Sequence, residues 1–477
     1  MMKNWLSRYG PRYPRSLVYM LQASEYNIRD YFSWHCQVDD FRNVERRKTL
    51  VKTSKTILLL AVAWCILLVL YGAGIFVLLM GDGPFRYFVS LPVLFFAPDI
   101  LAYAITVPLF AGKIFIQFPL EYFIIKKARQ KLAGHKGLKI AIAGSFGKTS
   151  MREILRTVLS VGKKVSAPPH SYNTLLSISR FVSNLKGDEE VLIFEFGEYY
   201  PGDIRKLCEL VRPQMGIITG VNEAHLEKFK NLDKTVNTIF ELAECLGEAP
   251  LYVNGENKLA KEKASVKDIV YSREGVGIWK VEEPVTGLDG TSFVLAGNGQ
   301  KFNLRTKLLG LHQIGPLVAA FDIAVRLGLS QEKIQKGIEN TKPFEHRLEP
   351  KVDVSGVITL DDSYNGNPDG VKAVIDFLAS LKGHRRFYVT PGLVEMGPRT
   401  EAVHKEIGRS LAKAEIEKVI LIKNSVTSYI EEGLKEAGYN GEVIRFSDAL
   451  SAFAALPHLT IKGDIVLLQN DWPDQYR

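Results

Sequence analysis

Gly144-Ser145-Phe146-Gly147-Lys148-Thr149-Ser150 is the stretch whose residue types and spacing can do chemistry. An apolar run, 140–143, precedes it, and Met151, Ile154, Leu155 and Val158 follow at helical spacing. The pattern predicts a buried parallel strand, a tight loop and a helix. That series suits a polyphosphate. Glycines let backbone N–H groups approach the phosphates, and the helix N-terminus adds partial positive charge. The Lys148 ammonium can reach the terminal phosphates, and the Thr149 hydroxyl can ligate Mg²⁺. The spacing, GxxGKT, is shorter than the common GxxxxGK[ST]. As an exposed loop lysine, Lys148 is expected to supply charge rather than packing, so its loss should cost activity and spare the fold.

Two further polar residues fall at the ends of predicted strands. Residues 191–196, VLIFEF, carry Glu195 near their end, and 215–221, MGIITGV, run into Asn222-Glu223-Ala224-His225. Strand and helix alternate from Leu138 onward, which implies a mostly parallel sheet, and ligands of such sheets gather at the carboxyl ends of the strands. Glu195 is a candidate to hold Mg²⁺ directly or through water. His225 is a candidate for a further ligand or a γ-phosphate contact.

Downstream, residues 250–305 are richer in short strands and turns, with 291–295 paired to 301–305 across Gly297-Asn298-Gly299. A helix is expected over 317–327. A hinge-like stretch, 341–351, contains Pro343, His346, Arg347 and Pro350. Strands are then expected near 357–360, 387–390, 418–422, 442–446 and 465–468, with helices between them, as in a second nucleotide-fold-like domain.

The elements before residue 138 have a different texture. Residues 1–55 are basic and aromatic-rich, and Leu17, Val18, Leu21, Tyr31, Phe32 and Trp34 are expected to form an interfacial amphipathic face. Residues 56–80 carry no charge and are long enough to span a bilayer as one helix. A second apolar stretch, 87–111, is interrupted by Pro92, Pro98, Asp99 and Pro108. Asp99 either faces the first helix, marks a re-entrant dip, or sits at a helix end or turn. Lysines and arginines flank the pair on both outer sides, and the turn between them holds only Asp82 and Arg86, so both ends are expected in the cytoplasm. Residues 113–137 read as a juxtamembrane connector along the inner leaflet.

The 477 residues carry a net charge of +9, which suits a membrane surface or anionic substrates. No zinc-finger spacing or basic stripe with interleaved aromatics points to nucleic acid. The four cysteines, Cys36, Cys65, Cys208 and Cys245, are scattered, as expected for reduced thiols. The expected fold class is therefore α/β. A transmembrane helical hairpin (56–112) follows the basic segment (1–55). Then come a central P-loop α/β ATPase domain (138–340), the hinge, and a Rossmann-like α/β domain (352–477).

Taken together, the ordered motifs resemble the Mur ligase family of ATP-dependent amide ligases in peptidoglycan synthesis. They are GSFGKTS at 144–150, HSYNT at 170–174, EFGEYYPGDI at 195–204, ITGVNEAHLEKF at 218–229, GLHQ at 310–313, HRLE at 346–349, DDSYNGNP at 361–368, and LVEMG at 393–397 followed by His404. The resemblance implies ATP and Mg²⁺ as cofactors. Gly144, Gly147, Lys148, Thr149 and Ser150 would cradle phosphate, and Thr149, Glu195 and His225 would form the metal site. Gln313 stands where relatives contact adenine, Arg347 would clamp the phosphates, Asp362 would contact the nucleotide, and Asn173 and Thr174 would line the acceptor side. Lys148, Glu195, His225 and Arg347 are the residues expected to carry the chemistry.

The chain also departs from that pattern. Ile239 stands where many relatives carry a carbamylated lysine, Pro316 replaces an Asn, and Gln469-Asn470-Asp471-Trp472-Pro473-Asp474 replaces a Lys-Gly-Ser-Arg-like run. The hairpin stands where relatives have a UDP-sugar-binding domain. A second Mg²⁺ would then be absent, or would be held by Glu223 or Glu227, while Glu241 should point away. Three readings follow. One is a membrane-anchored ligase joining an amino acid or dipeptide to a UDP-linked cell-wall carboxylate. The second is the same chemistry on a lipid-linked acceptor. The third is a nucleotide-binding membrane scaffold that has lost ligase chemistry. The expected partners are those precursors and the lipid bilayer, with no nucleic acid. The expected location is the cytoplasmic membrane, multi-pass, with the catalytic domains in the cytoplasm.

Overall fold

The computed structural model describes residues 5–45, 49–169, 172–222, 232–364 and 366–471. The chain divides into two compact units, one built on residues 1–123 and the other on 124–472.

In the first unit, helix Ser54–Met80 opens on a reciprocal cap. The Thr53 hydroxyl accepts from Thr56 N at 3.2 Å, and the Thr56 hydroxyl accepts from Thr53 N at 2.8 Å. Helix Phe85–Ala104 follows after a short turn, and both apolar runs are long and apolar enough to cross a membrane. Pro92 and Pro98 lie inside this helix and do not break it as the sequence pattern suggests. A proline in a long helix forfeits one backbone bond, and its neighbours keep theirs. Gly74 lets the two helices approach, because a Cβ there would stand 2.7 Å from Leu94 Cδ2. Asp99 sits within the helix and pairs with Arg8, on the short helix Trp5–Tyr9, so it marks neither a helix end nor a turn.

The N-terminal segment differs from the sequence expectation. Leu17, Val18, Leu21 and Tyr31 do not form a lipid-facing stripe. They are buried in a core with Phe41, Leu59, Ala63, Leu67 and Leu101, and Phe32 and Trp34 pack against it. A helical apolar stripe has the same period whether it meets lipid or protein. Exposed apolar side chains run along both apolar helices, among them Leu58, Leu68, Phe76, Phe88 and Phe96, and on through Ile114, Phe115, Ile116, Phe118, Leu120 and Phe123.

The second unit is built on two sheets. The first is 10-stranded, in the order β10-β9-β8-β7-β6-β5-β4-β1-β3-β2. Its parallel part comprises β1 (Leu138–Ala143), β2 (Val165–Ser166), β3 (Val191–Glu195), β4 (Met215–Ile218), β5 (Leu251–Asn254) and β6 (Ile269–Ser272). An antiparallel extension follows: β7 (Gly275–Val276), β8 (Trp279–Gly287), β9 (Gly290–Gly297) and β10 (Gln300–Thr306). Strands β1, β3 and β4 are apolar almost throughout because helices cover both faces of the sheet. Strand β1 lies between β3 and β4, so the chain leaves it in one direction and later returns on the other side. That is the switch point where such sheets bind ligands. The register sets Ile142 beside Glu195 and Ala143 beside Ile218, which brings three strand ends together.

The second sheet is 6-stranded, in the order β11-β12-β16-β13-β14-β15. It comprises β11 (Glu349–Val352), β12 (Ile358–Asp362), β13 (Arg386–Thr390), β14 (Lys418–Ile422), β15 (Glu442–Phe446) and β16 (Ile465–Gln469). All neighbours are parallel except β11, which runs antiparallel to β12. The stretch read as a hinge therefore ends inside this sheet, since Glu349–Lys351 already pair with Thr359–Asp361.

Candidate active site

The glycine loop leaves β1 at Ala143 and turns into helix Lys148–Leu159. Gly144 (φ +144°) and Gly147 (φ +74°) adopt conformations that side chains resist, and a Cβ on Gly144 would also collide with the Thr219 hydroxyl. Met151, Ile154, Leu155, Val158 and Leu159 bury one face of the helix and anchor it to the sheet. The far side of the loop is pinned to the end of β4. Ser145 N donates to Gly220 O at 2.8 Å, the Thr219 hydroxyl sits by the carbonyls of Ala143 and Phe146, and the Phe146 ring covers Gly220. Gly147 brings no side-chain cap to this helix. By contrast, Thr174, Asn257, Asn367 and Asp448 cap theirs. Among the described residues, the first-turn N–H groups of Lys148–Leu159 thus receive no side-chain cap. The Ser145 hydroxyl is also buried without a partner among the described residues. This donor-rich, acceptor-poor cradle matches an anion.

Four charged side chains converge beside it. The Lys148 ammonium donates to the Gly144 carbonyl and to both Glu198 oxygens, each at 3.0 Å. The Thr149 hydroxyl lies 3.1 Å from each Glu195 oxygen, and the Arg152 guanidinium donates to Glu195 at 3.2 Å and to Glu153 at 2.9 Å. Side-chain exposure is 12% for Lys148, 2% for Glu198, 0% for Arg152 and 6% for Glu195. These are largely buried pairs, in which removing one partner takes a buried ion pair from the other. Lys148 is therefore not the exposed loop lysine of the sequence reading, and the expectation that its loss spares the fold is corrected.

The remaining candidates are distributed as follows. Ser150 lies in the first turn of the same helix. The Asn173 carbonyl accepts from Gly197 N at 2.9 Å, which places that loop against the exit of β3 between Glu195 and Glu198. The Thr174 hydroxyl and Ser177 form the reciprocal cap of helix Leu175–Ser183, so Thr174 has a structural duty. Gln313 donates to His312 at 2.9 Å. Burial, helped by Arg273, pushes the His312 imidazole down to about 4, so this ring is neutral. His225, Glu223 and Glu227 lie outside the described residues. Ile239 is fully buried in the core of the first sheet's helical layer. Glu241 accepts from Gly202 N and Arg205 N, capping helix Asp203–Val211, and is occupied there.

The second sheet adds its own strand ends. Asp362, at the end of β12, accepts from Leu348 N at 3.2 Å and from the Gln469 amide at 2.8 Å. Burial raises its carboxyl above the usual range, against the pull of Arg347. Arg347 lies over the Tyr364 ring, 5.2 Å from its centre. Asn470 accepts from Gly366 N at 2.9 Å. The departing C-terminal run thus braces the Asp-Asp-Ser-Tyr-Asn loop through Gln469 and Asn470. His404 is fully buried and neutral. It accepts from Leu393 N at 2.9 Å and donates to the Thr400 carbonyl at 2.6 Å, holding the Leu393–Gly397 loop.

Residues missed by the sequence reading are Arg152, Glu198 and Asn222. The Asn222 amide donates to Asn367 Oδ1 and to Asp369 Oδ2, each at 2.9 Å, joining the end of β4 to the first turn of helix Pro368–Ser380. The signal for Asn222 was its place at a strand end next to the His225 motif. Asn222→Ala is expected to cost about 1–3 kcal/mol of docking between the two α/β domains. Hydrogen exchange at the N-terminal turn of Pro368–Ser380 should then rise several-fold while β1 and β3 stay protected.

A parallel sheet with an anion cradle at its switch point, joined to a second α/β sheet that carries Asp362, with Arg347 just before its first strand, defines a P-loop protein of two α/β domains. Family models agree. The Mur ligase middle domain matches residues 142–324, and the Mur ligase, glutamate ligase domain matches residues 346–469. The chain belongs to the Mur ligase family of ATP-dependent ligases. It is 28% identical over 367 residues to the UDP-N-acetylmuramoyl-tripeptide–D-alanyl-D-alanine ligase of Mycobacterium tuberculosis, covering 72% of each chain. Among solved structures it resembles MurF from Acinetobacter baumannii (TM-score 0.66, 21% identity, 74% of this chain and 78% of that one). It also resembles MurF ligase from Thermotoga maritima in complex with ADP (TM-score 0.65, 22% identity, 74% and 80%).

Proposed function

We propose that this chain is a membrane-anchored ligase that uses ATP to join an amine to a carboxylate of a cell-wall precursor. The substrate pair named for its relatives, UDP-N-acetylmuramoyl-tripeptide and D-alanyl-D-alanine, is the first to test. The observation that carries the reading is the convergence of Lys148, Thr149 and Glu195 at the β1 switch point. The acceptor carboxylate attacks the γ-phosphorus, ADP leaves, and an acyl phosphate forms. The amine then attacks the acyl carbon, and phosphate departs as the amide forms. Lys148 and the helix N-terminus stabilise charge on the phosphoryl group, which is most of what such a transfer requires. Asp362, at the end of β12, and Arg347, just before β11, complete the site when the two domains are docked, which shields the acyl phosphate from water.

Mg²⁺ fits the donor set. The Thr149 hydroxyl and the Glu195 carboxylate are adjacent hard oxygen ligands beside an anion cradle. Those two residues would hold it, and it would supply positive charge to the phosphates. Mass spectrometry of the product and phosphate release, each dependent on both substrates, test the reaction. ATP turnover indifferent to acceptor and amine would overturn it. A lipid-linked acceptor is the second reading, favoured by the two apolar helical runs. The same assay with that acceptor distinguishes the two.

Membrane anchoring rests on length, composition and flanking charge. Reporter fusions after residues 80–82 are expected to read as external and fusions after Lys139 as cytoplasmic. The reverse pattern at either position would refute the topology.

A further inference from the structure

Two of the four cysteines, scattered in the sequence, meet between helices of the second unit. Helices Asp203–Val211 and Leu232–Leu246 share one apolar core, to which the first gives Leu207 and Leu210 and the second gives Ile239 and Leu242. Polar contacts fix their register. Glu241 accepts from Gly202 N at 2.9 Å and from Arg205 N at 3.0 Å, and Arg205 Nη2 lies 2.6 Å from Glu244. Both helices therefore run the same way side by side. One turn further along each stand Cys208 and Cys245, on the faces that these contacts turn towards one another. Their thiols hydrogen-bond to each other. Cys208 is buried and Cys245 is exposed.

We propose that Cys208 and Cys245 form a reversible intramolecular disulfide when the protein meets a low-molecular-weight disulfide such as oxidised glutathione. The Cys245 thiolate, open to solvent, attacks one sulfur of the small disulfide and releases one glutathione thiolate. Cys208 loses its proton and attacks the Cys245 sulfur, and the second glutathione leaves. Two protein thiols are oxidised and one glutathione disulfide is reduced to two thiols. Thiols already within hydrogen-bond reach need little backbone movement to satisfy disulfide geometry. Burial raises both thiols above the usual cysteine range, with Glu241 adding to it and Arg205 opposing it, and Glu244 also raises Cys245. The thiolate fraction is then small, so the reduced pair is the resting state and exchange quickens as pH rises. The bond staples the helix entered from the Glu195–Glu198 loop to its neighbour.

The test is incubation of the full-length protein in detergent with oxidised glutathione, alkylation of the remaining thiols, and mass spectrometry of an unreduced digest. A cross-linked peptide pair containing Cys208 and Cys245 is expected, lost again on treatment with dithiothreitol. The oxidised protein should melt several degrees above the reduced one, since the bond constrains the unfolded chain. Cys245→Ser should remove both the cross-link and the shift. Cys208→Ala should stop at the first step, with glutathione held on Cys245. Wild-type protein that keeps glutathione on Cys245 beside a free Cys208 would overturn the proposal. So would oxidation that pairs Cys245 with Cys36 or Cys65 instead, or that leaves all four thiols open to alkylation.

Discussion

Lys148→Ala loses ligase activity by at least about a thousandfold, the scale of removing a preorganised charge that meets the transition state. It also loses stability, because the Glu198 carboxylate, 2% exposed, loses the Lys148 ammonium from among its partners. Breaking a buried pair from one side costs ~3–5 kcal/mol, enough to lower the thermal midpoint by several degrees. The two losses separate in the double variant. Lys148→Ala with Glu198→Gln removes both ends of the ion pair, so its midpoint returns toward that of the wild type while ligation stays absent. Rates of amide formation and melting curves on the four proteins of this cycle check both statements. Equal destabilisation in the single and double variants would show that Glu198 does not depend on Lys148. Residual ATP-dependent ligation near the wild-type rate would remove the loop from the chemistry.

The second large effect is expected at Arg152. Its guanidinium is fully buried and holds Glu195 from behind while Thr149 faces the same carboxylate from the front. Arg152→Met fills the volume but leaves Glu195 without its buried cation, at a cost of ~3–5 kcal/mol. Glu195 is then no longer fixed at the strand end, so affinity for ADP in the presence of Mg²⁺ should fall about tenfold or more. Arg152→Lys keeps a charge but loses the planar fork that serves Glu195 and Glu153 together, and it is expected to fall between the two. Thermal denaturation and ADP titration with Mg²⁺ measure these effects. Wild-type melting and affinity in Arg152→Met would show that the guanidinium does not position Glu195.

Much of the second unit was legible because both of its periodicities are strong. The strands at 418–422 and 442–446 coincide with β14 and β15. The helix expected over 317–327 begins three residues earlier, at Ile314, where Pro316 sits in the first turn and costs no backbone bond. The second apolar helix was harder to read. Its prolines look like stops in a sequence, and only the surrounding helix decides that a single lost bond is tolerated.

The sequence by itself determined the class of chemistry. The Gly-Lys-Thr loop between an apolar strand and an amphipathic helix, and the acid at the end of the next buried strand, are local patterns whose physics needs no partner to be read. It also determined that Ile239 cannot ligate a metal, and the structure adds that it is buried among apolar neighbours. The tertiary structure decided which charges meet. Arg152 lies on an amphipathic helix where a charged residue reads as solvent-facing, yet it is fully buried because Glu195 waits on the neighbouring strand. Glu198 is three residues from Glu195, and no spacing rule says that it turns inward onto Lys148. Asn222 reaches the second α/β domain only because β4 ends beside helix Pro368–Ser380. Pairing of charges across elements depends on register and sheet order, and those are set by packing of the whole sheet rather than by any window of residues.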